Sequence, residues 1–451
     1  MSVVHSEQYL NERPAAAIAG RFSQASKRAE ELAFWSFIIT IAIFGYLQGN
    51  VGDPSRSLLA FLLCFSCFLR TLSSLLSGSF RVADPVLILP LVGIVGVAVL
   101  QILPFRSGPI SADPFETKAF IVFFSALILA GESLRHLTNN PRRLRILVGT
   151  VIVVGSCSAV YGIVLSFLFE PNEQYAQFAN RNHYAVLAEM ATGLLIGLLT
   201  KGQLPRIYRF AGLLCSAIII YSLLTAGSRG GLISLIAMLV FSVIAHTFFS
   251  TSIAGTASIG PPLKMKILGA VSACVLIVIV SVAAIGLVGG NTVVTRFEQV
   301  RDEVESQSDT RLNRGTIWNI TLELIQERPA LGAGFGAYAA AITPFDHSNG
   351  TWPLEQAHSE YLEILANGGI VSFVFFGIFL ILVARRVLPG LRARDRLERA
   401  TCFGATVGIF GVLVHSLVDF GLHVPLNAIV FVVLLVVATN GSNQESPNPI
   451  Q

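Results

Sequence analysis

The sequence predicts an all-α, polytopic integral membrane protein with about twelve transmembrane helices and one large outer loop carrying two amphipathic helices. Three observations predict it. Hydrophobic residues make up 53% of the 451 positions and charged residues only 13%, a balance unsuited to a water-soluble chain of this length. Apolar runs of roughly 20 residues, the length a helix needs to cross the hydrocarbon layer, recur along the chain. Lys and Arg are shared unevenly between alternate loops.

The expected spans are 33–48, 58–77, 86–104, 117–133, 146–169, 184–200, 208–225, 231–249, 266–288, 369–384, 400–418 and 424–439. The second contains Arg70. A polar N-terminal tail (1–32) precedes a long first span, so no cleavable signal peptide is expected. With both termini on one side, that side holds 20 of the 31 basic residues. Five of the ten on the other side lie in one long segment, and long segments translocate largely regardless of charge. Both termini are therefore placed in the cytoplasm, with 440–451 a polar tail. The net charge of +4 follows from this topology and calls for no nucleic-acid partner. All six cysteines fall within expected spans, so no extracytoplasmic disulfide framework is implied. Cys64 and Cys67 have redox-motif spacing, but in a membrane helix they read as small packing residues.

The membrane domain (33–288 and 369–439) is interrupted by one extracytoplasmic insertion, 289–368. Within it, apolar residues recur at helical spacing from 314 to 327 (Ile317, Ile320, Leu324 and Ile325, with Trp318 beside them), and Arg328-Pro329 ends the run. Gly332, Gly334 and Gly336 then predict a flexible turn. A second helix is expected over 354–367, with His358, Tyr361, Leu362 and Leu365 on one face and Gly368-Gly369 closing it.

Several residues here and in the short outer loops have the chemistry of a site. Arg314 opens the first loop helix on the stripe of Trp318, Thr321 and Ile325, where it suits a bound anion or a lipid headgroup. Arg229 lies in the tight hairpin Ala226-Gly227-Ser228-Arg229-Gly230-Gly231. There the glycines, Gly230 among them, allow close backbone approach beside the supporting Ser228, the next helix offers its positive end, and the guanidinium can grip phosphate bidentately. Asn180, Arg181, Asn182 and His183 form another cationic, hydrogen-bonding cluster before the sixth span, with Asn182 as the expected helix cap. His358 titrates near neutrality and can serve as a general base. Glu355, one expected helical turn earlier, is placed to orient it, and Tyr361 continues its face. His415 and Asp419, four apart at the outer end of the eleventh span, read equally as functional groups or as a structural pair. There is no DxD carboxylate pair in an outer loop, no metal-ligand cluster and no Walker-type phosphate loop. No metal or cofactor is therefore expected, and arginines take the place a divalent cation holds in many phosphate-handling enzymes.

At these residues the chain resembles the bacterial O-antigen ligase and O-antigen polymerase superfamily, multi-span glycosyltransferases of the C type. Ser228-Arg229-Gly230-Gly231 is similar to the family's arginine turn. Arg314 and Trp318, followed by Pro329, Gly332, Gly334 and Gly336, resemble its R-x-x-x-W and P-x-x-G-x-G pattern. Ala357-His358-Ser359-Glu360-Tyr361-Leu362 with Gly369 resembles its H-N-x-x-L…E-x-G pattern. Ser359 stands where the family has asparagine. Asn367 stands where it has glutamate, so no acidic role is assigned there.

The resemblance implies an undecaprenyl-diphosphate-linked glycan as donor and an inverting, metal-independent transfer at the periplasmic face of the bacterial inner membrane. It implies that Arg229 and Arg314, with Arg181 as a third cation on the same face, hold the diphosphate while His358 helps activate the acceptor hydroxyl. The acceptor is lipid A–core for a ligase of lipopolysaccharide biosynthesis. For a polymerase of O-antigen or exopolysaccharide it is a growing chain on a second carrier. A membrane transporter is the alternative of another class; it predicts charged residues deep in several spans, where only Arg70 and Glu189 occur. A non-catalytic assembly partner leaves the arginines unexplained.

Overall fold

The computed structural model describes residues 4–47, 53–80, 82, 84–106, 108–169, 174–249, 265, 267–277, 279, 314–346 and 353–443, with side chains described between 22 and 441. The expectations for 289–313 and for the end of the C-terminal tail lie outside these residues. Every regular element among them is helical. The helices are α1 (Val4–Tyr46), α2 (Asp53–Ser77), α3 (Pro85–Gln101), α4 (Pro114–Leu137), α5 (Pro141–Leu168), α6 (Arg181–Lys201), α7 (Arg206–Ala226), α8 (Arg229–Phe249), α9 (Ile267–Ile277), α10 (Arg314–Glu327), α11 (Tyr338–Ile342), α12 (Glu360–Leu391), α13 (Arg396–His415) and α14 (Pro425–Thr439). Nine of the described helices are long and apolar enough to cross a membrane. Three shorter apolar ones, α3, α9 and α14, fall at the remaining expected spans, so the count of twelve crossings rests on them.

Local chemistry sets where these helices start. Asp84 at α3, Asp113 at α4 and Asn140 at α5 each accept a backbone N–H of the first turn, with proline next in sequence, and Asp395 caps α13 in the same way without a proline. Proline at the first position forfeits only an N–H that would be unpaired in any case. α6 and α13 cross at glycines. A methyl group at Gly193 would stand 2.4 Å from Gly408 N, and one at Gly197 would stand 2.2 Å from Ala400 O.

 Gly193 and Gly197 of α6 thus approach Gly404 and Gly408 of α13 closely. Small residues at such a crossing let two membrane helices approach backbone to backbone. α6 and α13 are also the two most buried of the long helices, and they run antiparallel, so the start of α6 meets the end of α13. The outer helices turn large apolar side chains such as Phe61, Phe68 and Phe167 outward, as lipid-facing surfaces do.

The loop after α10 is ordered rather than flexible, contrary to the expectation from its glycines. α12 is broken at Gly369, whose φ of 64° is left-handed. The backbone groups freed by the break are met by this loop. Ile370 N donates to Pro329 O (2.9 Å), Ala333 N to Ala366 O (2.9 Å) and Gly334 N to Asn367 O (3.0 Å). The buried Gln101 side chain ties the two together: its Nε2 donates to Leu331 O (2.5 Å) and Asn367 O (2.7 Å), and its Oε1 accepts from Phe335 N (3.1 Å). Gly332 has a φ of 68°, and a methyl group there would stand 2.4 Å from the Asn367 carbonyl carbon. Glycine is required by close approach as much as by conformation.

Candidate functional site

The candidate residues come together at one end of the bundle, where α6, α8 and α10 begin and α13 ends. Asn180 caps α6 by accepting from Asn182 N (2.8 Å). This corrects the expectation that Asn182 is the cap. Asn182 instead reaches across to α8, where its Oδ1 accepts the Ser228 hydroxyl (2.8 Å). Ser228 Oγ in turn accepts from Gly231 N (3.1 Å) and so caps α8. The hairpin between α7 and α8 is as tight as expected, because Gly227 takes a left-handed φ of 64°. Arg181 and Arg229 are therefore the first residues of two adjoining helices, both half-buried.

Gly230 faces α13. A methyl group on it would stand 2.7 Å from His415 Nε2. His415 is fully buried, and its Nδ1 is 2.7 Å from Glu189 Oε1, eight residues into α6. Asp419, also buried, places Oδ2 3.9 Å from His415 Nε2 and Oδ1 3.9 Å from His183 Nε2. One carboxylate is thus shared by two imidazoles. The His183 carbonyl accepts from Asn427 Nδ2 (2.9 Å), which fixes the start of α6 to α14.

His358 does not lie in a helix, contrary to the expected helix over 354–367. α12 begins at Glu360, and His358 precedes it with a left-handed φ of 50°, a conformation uncommon for a residue with a side chain. Three contacts hold this turn: Trp318 Nε1 donates to Ala357 O (3.1 Å), Ala357 N to Glu363 Oε2 (3.3 Å) and Glu360 N to Ser416 O (3.0 Å). Glu355 is therefore not one helical turn from His358; it is exposed, in an irregular segment outside any helix. The charged groups that act on His358 are Asp419 and Arg314. Burial pushes the imidazole below its usual range, and the Arg314 guanidinium adds to this against the pull of Asp419. Tyr361 is half-buried and donates to Leu413 O (2.8 Å), holding α12 on α13.

Arg314 opens α10, as expected. Ile317, Ile320, Thr321 and Leu324 form the buried stripe of that helix, and Arg314 is exposed at its open end. Phe420 sits among three histidines, with ring centroids 4.8 Å from His183, 5.1 Å from His358 and 5.7 Å from His423. Residue spacing alone could not have found Phe420, His423 or Gln101, or paired Glu189 with His415, because each acquires its partners across more than a hundred positions or in an irregular turn. Among the described residues, no three His, Cys, Asp or Glu side chains converge as metal ligands.

A multi-pass helical membrane protein with a cationic, histidine-rich site at one end of its bundle is the class this geometry defines. Residues 213–377 match the family model described as O-antigen ligase, and over this segment the chain is similar to that family, which supports the O-antigen ligase and polymerase superfamily. The matched segment runs from α7 into α12 and includes Arg229, Arg314 and His358; His183, His415 and Asp419 lie outside it. The match supports a membrane glycosyltransferase of the O-antigen ligase and polymerase type. No curated protein matches the chain.

Proposed function

We propose that this protein moves a glycan from an undecaprenyl-diphosphate carrier to an acceptor hydroxyl, with lipid A–core as the acceptor of the favoured, ligase-like reading. The observation that carries the proposal is the convergence of His358, the shared Asp419 carboxylate and the arginines that open α6, α8 and α10. In the proposed topology 1–32 and 440–451 face the cytoplasm, 289–368 is a periplasmic loop, and the site works at the periplasmic face of the inner membrane.

The acceptor oxygen attacks the anomeric carbon from the side opposite the diphosphate. The anomeric C–O bond breaks, its electron pair leaves with the lipid diphosphate, and the hydroxyl proton passes to His358, giving inversion. A depressed pKa keeps His358 neutral and able to take that proton near neutral pH. Asp419 stabilises the imidazolium that results. Arg229, Arg314 and Arg181 meet the charge that grows on the diphosphate, aided by the positive ends of their helices. One preorganised donor of this kind typically lowers the barrier by about 3–4 kcal/mol.

The test supplies purified protein with an undecaprenyl-diphosphate-linked glycan and either lipid A–core or a second carrier-linked glycan. Product on lipid A–core alone supports the ligase reading; product on the carrier-linked glycan alone assigns a polymerase. Passage of the intact donor across the membrane with no bond broken would sink both in favour of transport.

A further inference from the structure

The first turn of α12 carries a second set of titratable groups that the proposed chemistry leaves unused. His423 lies in the short turn between α13 and α14, and its Nε2 is 3.5 Å from both Glu360 Oε2 and Glu363 Oε1. Each carboxylate gives its other oxygen to a backbone N–H. Glu360 Oε1 accepts from Leu422 N (3.0 Å), and Glu363 Oε2 accepts from Ala357 N (3.3 Å). These amides belong to the two segments that carry the site: Leu422 follows Asp419 and Phe420, and Ala357 directly precedes His358.

We propose that Glu360, Glu363 and His423 form a positioning device that holds the His358 turn against the Asp419 segment, so that His423 serves the transfer without touching the substrate. This rests on His358 being the base. The left-handed backbone of His358 persists only where its surroundings over-determine it, and the cluster supplies one of its ties. Two carboxylates three residues apart on a helix repel each other, and an imidazolium between them turns that repulsion into a bridge.

Other charged groups face His423 as well. Arg56 of α2 disfavours its protonation, and His183 of α6 lies within electrostatic range. Burial also opposes the charge, yet Glu363 and Glu360 outweigh these effects and the imidazole is pushed up to about 9. The bridge is therefore fully formed below the ordinary histidine range and is lost as pH rises through about 9.

The experiment measures kcat and donor KM against pH, using purified protein, the undecaprenyl-diphosphate-linked glycan and whichever acceptor supports turnover. His423→Gln is expected to lower kcat about 10- to 100-fold, leave donor KM within about 2-fold and abolish the alkaline limb. His423→Arg, a permanent cation, is expected to keep more of kcat than His423→Gln and also to lack that limb. Equal amounts of folded protein are compared after size exclusion; if His423→Gln does not fold, the His423→Arg profile decides. Wild-type kcat in His423→Gln, a loss confined to KM, or an alkaline limb that survives in His423→Arg overturns the proposal. Full turnover in His358→Ala would instead overturn the reading of the base, whereas an inactive His358→Ala beside a fully active His423→Gln removes only the positioning role.

Discussion

Replacing Gln101 with leucine tests how the glycine loop holds the break in α12. The substitution keeps the shape of the side chain and removes its three hydrogen bonds, to Leu331 O, Asn367 O and Phe335 N. Asn367 O retains Gly334 N at 3.0 Å. Phe335 N–H and Leu331 O are left without these partners. An orphaned buried group costs about 1–3 kcal/mol, so the two together weaken the closed loop by about 2–6 kcal/mol. At about 1.4 kcal/mol per tenfold, amide exchange across 331–335 should rise between about 30-fold and about 10⁴-fold. Hydrogen exchange followed by mass spectrometry, on protein in lipid nanodiscs, reads this directly. Wild-type exchange in Gln101→Leu would refute the reasoning.

Further outcomes follow from the site and from the proposed topology. Arg314→Gln removes a cation that depresses His358, so the acid limb of kcat/KM should move to higher pH, whereas Asp419→Asn should move it to lower pH; a pH–rate profile of each variant checks both signs. Gly230→Ala places a methyl group 2.7 Å from His415 Nε2 and should destabilise the protein by about 1–3 kcal/mol through overpacking, read as a lower unfolding temperature in detergent. A fluorescent protein fused after Gln451 should fold and fluoresce in the cytoplasm, while periplasmic alkaline phosphatase fused there should be inactive.

The membrane helices were legible because length and hydropathy alone decide them. The Arg229 hairpin was legible because glycine next to a short polar break leaves few alternatives. The start of α12 was not. His358, Tyr361, Leu362 and Leu365 recur with helical spacing, but Glu363 captures Ala357 N, and that local side-chain bond ends the helix before the periodicity does. The α6 cap went to Asn180 rather than Asn182 because Ser228, 46 residues away, engages Asn182. Glu189 and His415 are 226 residues apart, and only helix packing pairs them. The absence of a carboxylate at Asn367 also looks different in three dimensions: Glu363, one turn earlier, is a buried acid on the same helix.

In the proposed transfer His358 takes the acceptor proton as the lipid diphosphate leaves. Its most direct test is the single-turnover rate of glycan transfer by purified wild-type protein and His358→Ala, with release of undecaprenyl diphosphate followed in the same reaction. The rate is expected to be about 10²–10⁴-fold lower in the variant, with donor binding retained. Transfer at the wild-type rate by His358→Ala would contradict it.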